Sequence, residues 1–140
     1  MKVYAILLAA SVVAGCASST SGLTEEQREQ LYQQYIVQQQ LAPARDIKNF
    51  KLRRWEALSE QSVLITSRGE DYLFTLQNRC SDIANASSVI VGRNSLIAQF
   101  SDRPATIGNP QLLPSQCLIK AIYPLTVAQA TELRHLGQDE

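Results

Sequence analysis

Residues 63–76 read Val63-Leu64-Ile65-Thr66-Ser67-Arg68-Gly69-Glu70-Asp71-Tyr72-Leu73-Phe74-Thr75-Leu76. The short apolar run from Val63 to Thr66 is followed by a turn signal, Ser67 to Glu70, in which Gly69 tolerates a positive φ. Tyr72, Phe74 and Leu76 then alternate with their neighbours, the period of a half-buried strand. Two such runs joined by a glycine-bearing loop of about four residues spell a β-hairpin.

The same period extends on both sides of the hairpin. From Ile47 onward, Phe50 and Leu52 alternate with polar residues, and so do Trp55 and Ala57. The parity slips at Arg53-Arg54, which predicts a bulge. Trp55 is expected to anchor the core. Ser88 to Val91 and Leu96 to Phe100 flank Gly92-Arg93-Asn94-Ser95 and read as a second hairpin. Pro104, Gly108, Pro110 and Pro114 mark a long irregular connection before a last strand, Cys117 to Tyr123. Thr126 caps a short helix through Leu133. About six strand candidates at short spacing predict a mainly β fold with one or two helices, a small antiparallel barrel or sandwich.

Ahead of this body the period is 3.6. Thr24 is an N-cap, with Gln27 three residues on as in a capping box. Glu25, Glu26 and Glu29 sit where the helix dipole favours negative charge. Leu31 with Tyr35, and Tyr32 with Ile36, share one face. The spacing predicts an amphipathic helix over 24–41, stopped by Pro43. Seven glutamines between Gln27 and Gln40 make its other face polar. The helix either packs on its own domain or serves as a stalk that binds a partner.

The N-terminus carries a targeting signal. Met1-Lys2, an apolar run from Val3 to Val13 and then Ala14-Gly15 have the parts of a secretory signal peptide. The run is shorter than the roughly 20 residues that a membrane-spanning helix needs. Val13-Ala14-Gly15-Cys16 resembles the bacterial lipobox. The resemblance implies cleavage before Cys16, which becomes a lipid-bearing first residue. Two or three acyl chains on one residue make release negligible, at about 0.8 kcal/mol for each buried CH₂. Ala17, where aspartate would favour the inner membrane of a Gram-negative cell, suggests the outer membrane with the protein facing the periplasm. Ala17 to Gly22 are small and polar and form a tether. The expected organisation is a signal peptide at 1–15, a lipidated cysteine and tether at 16–23, the helix at 24–41 and a disulfide-stapled β-rich domain at 46–135.

Of 140 residues, 125 follow residue 15, enough for one small domain. Lys and Arg number 13 and so do Asp and Glu, a balance that argues against a nucleic-acid partner. Two of the three cysteines, Cys80 and Cys117, remain after Cys16 is assigned to lipid. An exported domain with two cysteines forms one disulfide. A redox pair would want Cys-x-x-Cys spacing, and a zinc site about four ligands. The only histidine, His135, lies near the C-terminal end.

No Gly-x-Ser-x-Gly elbow and no glycine-rich phosphate loop occur. No cofactor or metal is expected. The favoured class is a non-catalytic envelope module that binds an envelope protein or glycan. The alternative is a small envelope hydrolase whose carboxylates, Asp71, Asp82 and Asp102, converge in space, although all three fall near turns. Lys48, Lys51, Arg53 and Arg54 cluster around Phe50 and Trp55. They form a candidate interaction face for anionic lipid, lipopolysaccharide or a glycan, or else the solvated side of an edge strand.

Trp55 after a basic stretch, Tyr72-Leu73 with Leu76, Cys80, and Cys117-Leu118-Ile119 with Ile122 resemble an uncharacterised family of proteobacterial lipoproteins, number 6491 among the domains of unknown function. Members often carry proline after the second cysteine, where this chain has Leu118. The resemblance covers roughly Ile47 to Pro124. It implies export and the Cys80–Cys117 pairing, and no activity, cofactor or catalytic residue.

Overall fold

The computed structural model describes residues 22–91, 97–98, 106–108 and 116–138. The signal peptide, Cys16, the tether up to residue 21, Asp102 and the 92–96 turn lie outside them. Helix α1 spans Glu25–Gln38. Strands β1 (Asp46–Ile47), β2 (Leu52–Ala57), β3 (Ser62–Ser67) and β4 (Glu70–Leu76) follow. Then come a one-turn helix α2 (Ser81–Ala84), strands β5 (Ile90–Val91), β6 (Ile97–Ala98), β7 (Thr106–Gly108) and β8 (Gln116–Leu125), and helix α3 (Val127–Leu136).

The sheet is antiparallel and curled into a half-barrel, in the order β2-β3-β4-β8-β7-β5. Its centre is the hairpin of residues 62–76. Ser67 pairs with Glu70, so the loop is two residues rather than four. Arg68 (φ 52°) and Gly69 (φ 84°) both have positive φ, the signature of a type I′ turn matched to strand twist. The expected bulge is present in β2, where Leu52 pairs with Ser67 but Arg54 with Thr66.

Both faces of the sheet are covered, which is why Val63-Leu64-Ile65 reads as a continuous apolar run. Val63, Ile65, Tyr72, Phe74 and Ile122 face the inside of the curl with Ile47, Phe50, Ile83 and Ile107. Phe50 and Phe74 stack there with ring centroids 6.4 Å apart. Trp55 packs against this cluster while only partly buried. Leu64 and Leu73 face the other way, beneath Tyr32, Tyr35 and Ile36 of α1 and Ala130 and Leu133 of α3. The helix α1 therefore packs on its own domain. Tyr32 donates to the Leu58 carbonyl, and Tyr35 to Glu132 Oε2 at 2.6 Å. A Cβ on Gly137 would run into the Tyr32 hydroxyl, so α1 and α3 run antiparallel in close contact. Thr24 and Thr126 each complete a capping box, with Gln27 and Gln129.

Three local expectations are corrected. The helix stops at Gln38, not at Pro43, because Gln40 turns left-handed (φ 51°). Gln40 N–H then bonds Val37 O at 3.1 Å and Leu41 N–H bonds Ile36 O at 3.0 Å, the Schellman pattern, with Leu41 packing into the same cluster as Ile36. Among the described residues, the two halves of the expected second hairpin do not pair with each other. Residues 90–91 pair with β7, and β6 pairs with β1, so each half found a distant partner. The connection expected to be irregular contains β7, which pairs with β8.

Cys80 and Cys117 are disulfide-bonded, with Cα atoms 6.3 Å apart. The bond ties the segment after β4 to the start of β8.

Candidate functional site

Two charged regions stand at opposite ends of the sheet. The first is built on the N-terminal turn of α1 and the β2–β3 connection. Glu29 accepts from Ser59 Oγ at 2.6 Å, Ser62 Oγ at 2.8 Å and Gln33 Nε2 at 2.8 Å. Glu25 accepts from the Glu60 amide at 3.1 Å and from Arg28 Nη1 at 3.0 Å. Glu60 in turn accepts from Arg79 Nε at 2.6 Å, and that contact raises the Arg79 pKa. Glu25, Glu26, Glu29, Ser59, Glu60, Gln61 and Arg79 line a shallow cleft. The Glu25 and Glu29 carboxylates hold α1 against the β2–β3 connection, and the Glu60 carboxylate ties that connection to Arg79. The glutamates and Glu60 are over 30 residues apart in sequence, and no spacing signal joins them.

The second region is basic. Ala44 N–H donates to Ile122 O at 2.8 Å, and Lys51 N–H to Ser67 Oγ at 3.0 Å. Residues 44–51 therefore cross from β8 to β2 over the open side of the curled sheet. Ile47 and Phe50 point into the core, so Arg45, Lys48 and Lys51 are left exposed. The β2 bulge has the same effect on Arg53 and Arg54. A regular strand would bury one of two successive residues, but the extra residue lets both face solvent. Continuing the Leu52–Ser67 register by one residue sets Lys51 beside Arg68, also exposed.

The four predicted cations Lys48, Lys51, Arg53 and Arg54 are thus brought together. Arg45 and Arg68 were not singled out in the sequence, although their left-handed turn and strap positions belong to the same surface. None of the six forms an ion pair with a described residue. The carboxylates at this end are Asp46, Glu70 and Asp71. The last two are engaged, Glu70 by the Tyr72 hydroxyl and Asp71 by Thr66 Oγ1, both at 2.6 Å. Burial, and then the bond to Glu70, push the Tyr72 phenol up to about 12.

The proposed catalytic carboxylates do not converge as far as the described residues extend. Asp71 pairs with Leu125 at one end of β4, and Asp82 lies in α2, past its other end. At about 3.3 Å per residue, the strand alone separates them by more than 15 Å. Among the described residues, no group of three or more His, Cys, Asp or Glu is placed to hold a metal ion. Nor is any helix among them long and apolar enough to cross a membrane.

A model of the Family of unknown function (DUF6491) matches residues 1–138. No curated protein and no solved structure matches the chain.

Proposed function

We propose that this chain, which belongs to the DUF6491 family, is a lipid-anchored, periplasm-facing envelope protein that binds a partner and performs no chemistry of its own. The observation that carries the reading is the set of six exposed cations on residues 45–68, unneutralised by any ion pair among the described residues. Exposed like charges kept together repel one another and weaken the fold, so their use lies outside it. Cys16 supports the anchor, because it follows Val-Ala-Gly and an apolar run of signal length. Ala17 supports the outer membrane as its destination.

Two measurements test the reading. A palmitate analogue fed to cells should label the wild-type chain and not Cys16→Ser, and equal labelling of both would remove the anchor. Cross-linking in intact cells should then capture a recurrent envelope component through residues 45–68. Turnover of an envelope substrate by the purified chain, abolished by changing Asp71 or Asp82, would replace binding with hydrolysis.

A further inference from the structure

We propose that the basic surface formed by Arg45, Lys48, Lys51, Arg53, Arg54 and Arg68 docks an extended carboxylate-bearing glycan–peptide polymer of the cell wall, rather than the membrane that holds the anchor. The inference rests on the anchored-module reading and adds the chemistry of the partner.

The chain enters the fold at Thr24, the N-cap of α1. Glu25 accepts from the Glu60 amide, so this entry lies at the β2–β3 connection. Glu25, Glu26, Glu29 and Glu60 all gather there. The bulge that exposes Arg53 and Arg54 is at the other end of β2, about 15 Å away at roughly 3.3 Å per residue. The tether thus leaves from the acidic end. With the acidic end nearest the anchor, the basic end stands outermost, beyond the reach of lipid charges screened over about 8 Å at physiological salt.

Residues 44–51 run from the Ile122 region of β8 to Ser67 of β3, passing the width of β8, β4 and β3 and on to β2. Three strand spacings at about 4.8 Å span some 14 Å. A small anion would meet one or two of these cations, whereas a polymer meets them in sequence.

Four of the six are arginines, whose planar guanidinium forks pair two-pronged with carboxylates. Their backbone is pinned by the Lys51–Ser67 bond, the bulge and the type I′ turn. Arg68 holds a left-handed conformation that glycine or asparagine adopts at less cost. A non-glycine residue kept there points to a use for its side chain.

The test is co-sedimentation of the processed full-length chain, in neutral detergent, with insoluble cell-wall sacculi. The triple variant Lys51→Gln/Arg53→Gln/Arg54→Gln should bind at least tenfold more weakly, and Arg68→Asn severalfold. Glu26→Gln should bind as the wild type does. The substituted side chains are exposed, and a melting temperature no lower than that of the wild type confirms that each variant folds. Affinity unaltered in the triple variant would overturn the proposal. In a second arm the chain is placed in vesicles of phosphatidylcholine, with or without phosphatidylglycerol. Sacculus binding should be equal in both, and its loss in the anionic vesicles would mean that the basic face lies on its own membrane, which overturns the proposal. Palmitate labelling of Cys16 is read separately. Loss of labelling with sacculus binding intact would sink the anchor and leave the polymer site standing.

Discussion

The two charged ends of this molecule are built on opposite principles. At the acidic end, Glu25, Glu29 and Glu60 receive hydrogen bonds from two serine hydroxyls, a backbone amide, a glutamine and two arginines. At the basic end, six cations stand exposed and make no ion pair with a described residue. Charge matched at close range serves the fold, since breaking one partner leaves another buried and unpaired. Unmatched charge does nothing for the fold and slightly opposes it. Substitutions at the acidic end should therefore lower stability, while those at the basic end should leave it unchanged or raise it.

The largest effect is expected at the disulfide, which belongs to the acidic end. The Cys80 amide donates to Glu60 O at 2.8 Å, and Arg79 next to it pairs with Glu60. The bond closes a loop of 37 residues, worth about 4 kcal/mol by chain entropy. Cys80→Ala/Cys117→Ala should lower the urea midpoint accordingly. Hydrogen exchange should rise first around Glu60 and the start of β8, and later in residues 44–54. Uniform acceleration would show that the two ends are not separate units.

Glu29 comes next. Glu29→Ala strands the Ser62 hydroxyl, fully buried, and the nearly buried Ser59 hydroxyl. Loss of hydrogen bonds to a charged acceptor should cost about 2–3 kcal/mol. Thermal denaturation should fall by roughly 10 °C in a domain of this size. A variant as stable as the wild type would mean that the glutamates are not what fastens α1, and the comparison would lose one side.

What the sequence disclosed follows the same division between local and distant determinants. The capping box at Thr24, the cap at Thr126, the central hairpin and the bulge at Arg53-Arg54 are local, each settled within a few residues, and the structure contains them. The Cys80–Cys117 bond was legible because only two cysteines were left to pair. The glutamate cleft was not, because Glu25 and Glu29 meet Ser59, Glu60 and Ser62 only after α1 folds back on the hairpin. The partners of β1 and β5 are equally non-local, and strands of two residues carry too little periodicity to choose them. The helix stop was misplaced because the rule looks for glycine or proline, whereas Gln40 takes the left-handed position and Leu41 recovers the cost by packing beside Ile36. The four central cations of the basic surface were visible as a run. Arg68 was hidden by its reading as a turn residue.

A smaller effect appears on the alkaline side. Burial raises the Tyr32 phenol to about 12, partly offset by Arg28. Burial raises Tyr35 further still, aided by its bond to Glu132. These phenols stay neutral in the folded chain and ionise near 10 when it unfolds. Their contribution is therefore complete below pH 10 and is lost as pH rises through 12. Each tyrosine that titrates only in the unfolded chain should subtract up to about 1.4 kcal/mol per pH unit in that window. Tyr32→Phe forfeits the bond to Leu58 O at neutral pH but should flatten the fall between pH 10 and 12. Parallel curves for variant and wild type would show that Tyr32 does not report on the α1 contact.

Arg68→Asn is the smallest effect and the sharpest test, because its sign differs from the others. Arg68 has φ 52° in the type I′ turn, where a long side chain costs roughly 1 kcal/mol more than asparagine. Replacement removes this penalty and breaks no hydrogen bond found for the Arg68 side chain. The melting temperature should rise by about 2–5 °C. The same substitution should weaken sacculus binding, so stability and binding move in opposite directions at one residue. A fall in melting temperature would mean that Arg68 is held by the fold as Glu29 is, and the basic end would then be architecture like the acidic one.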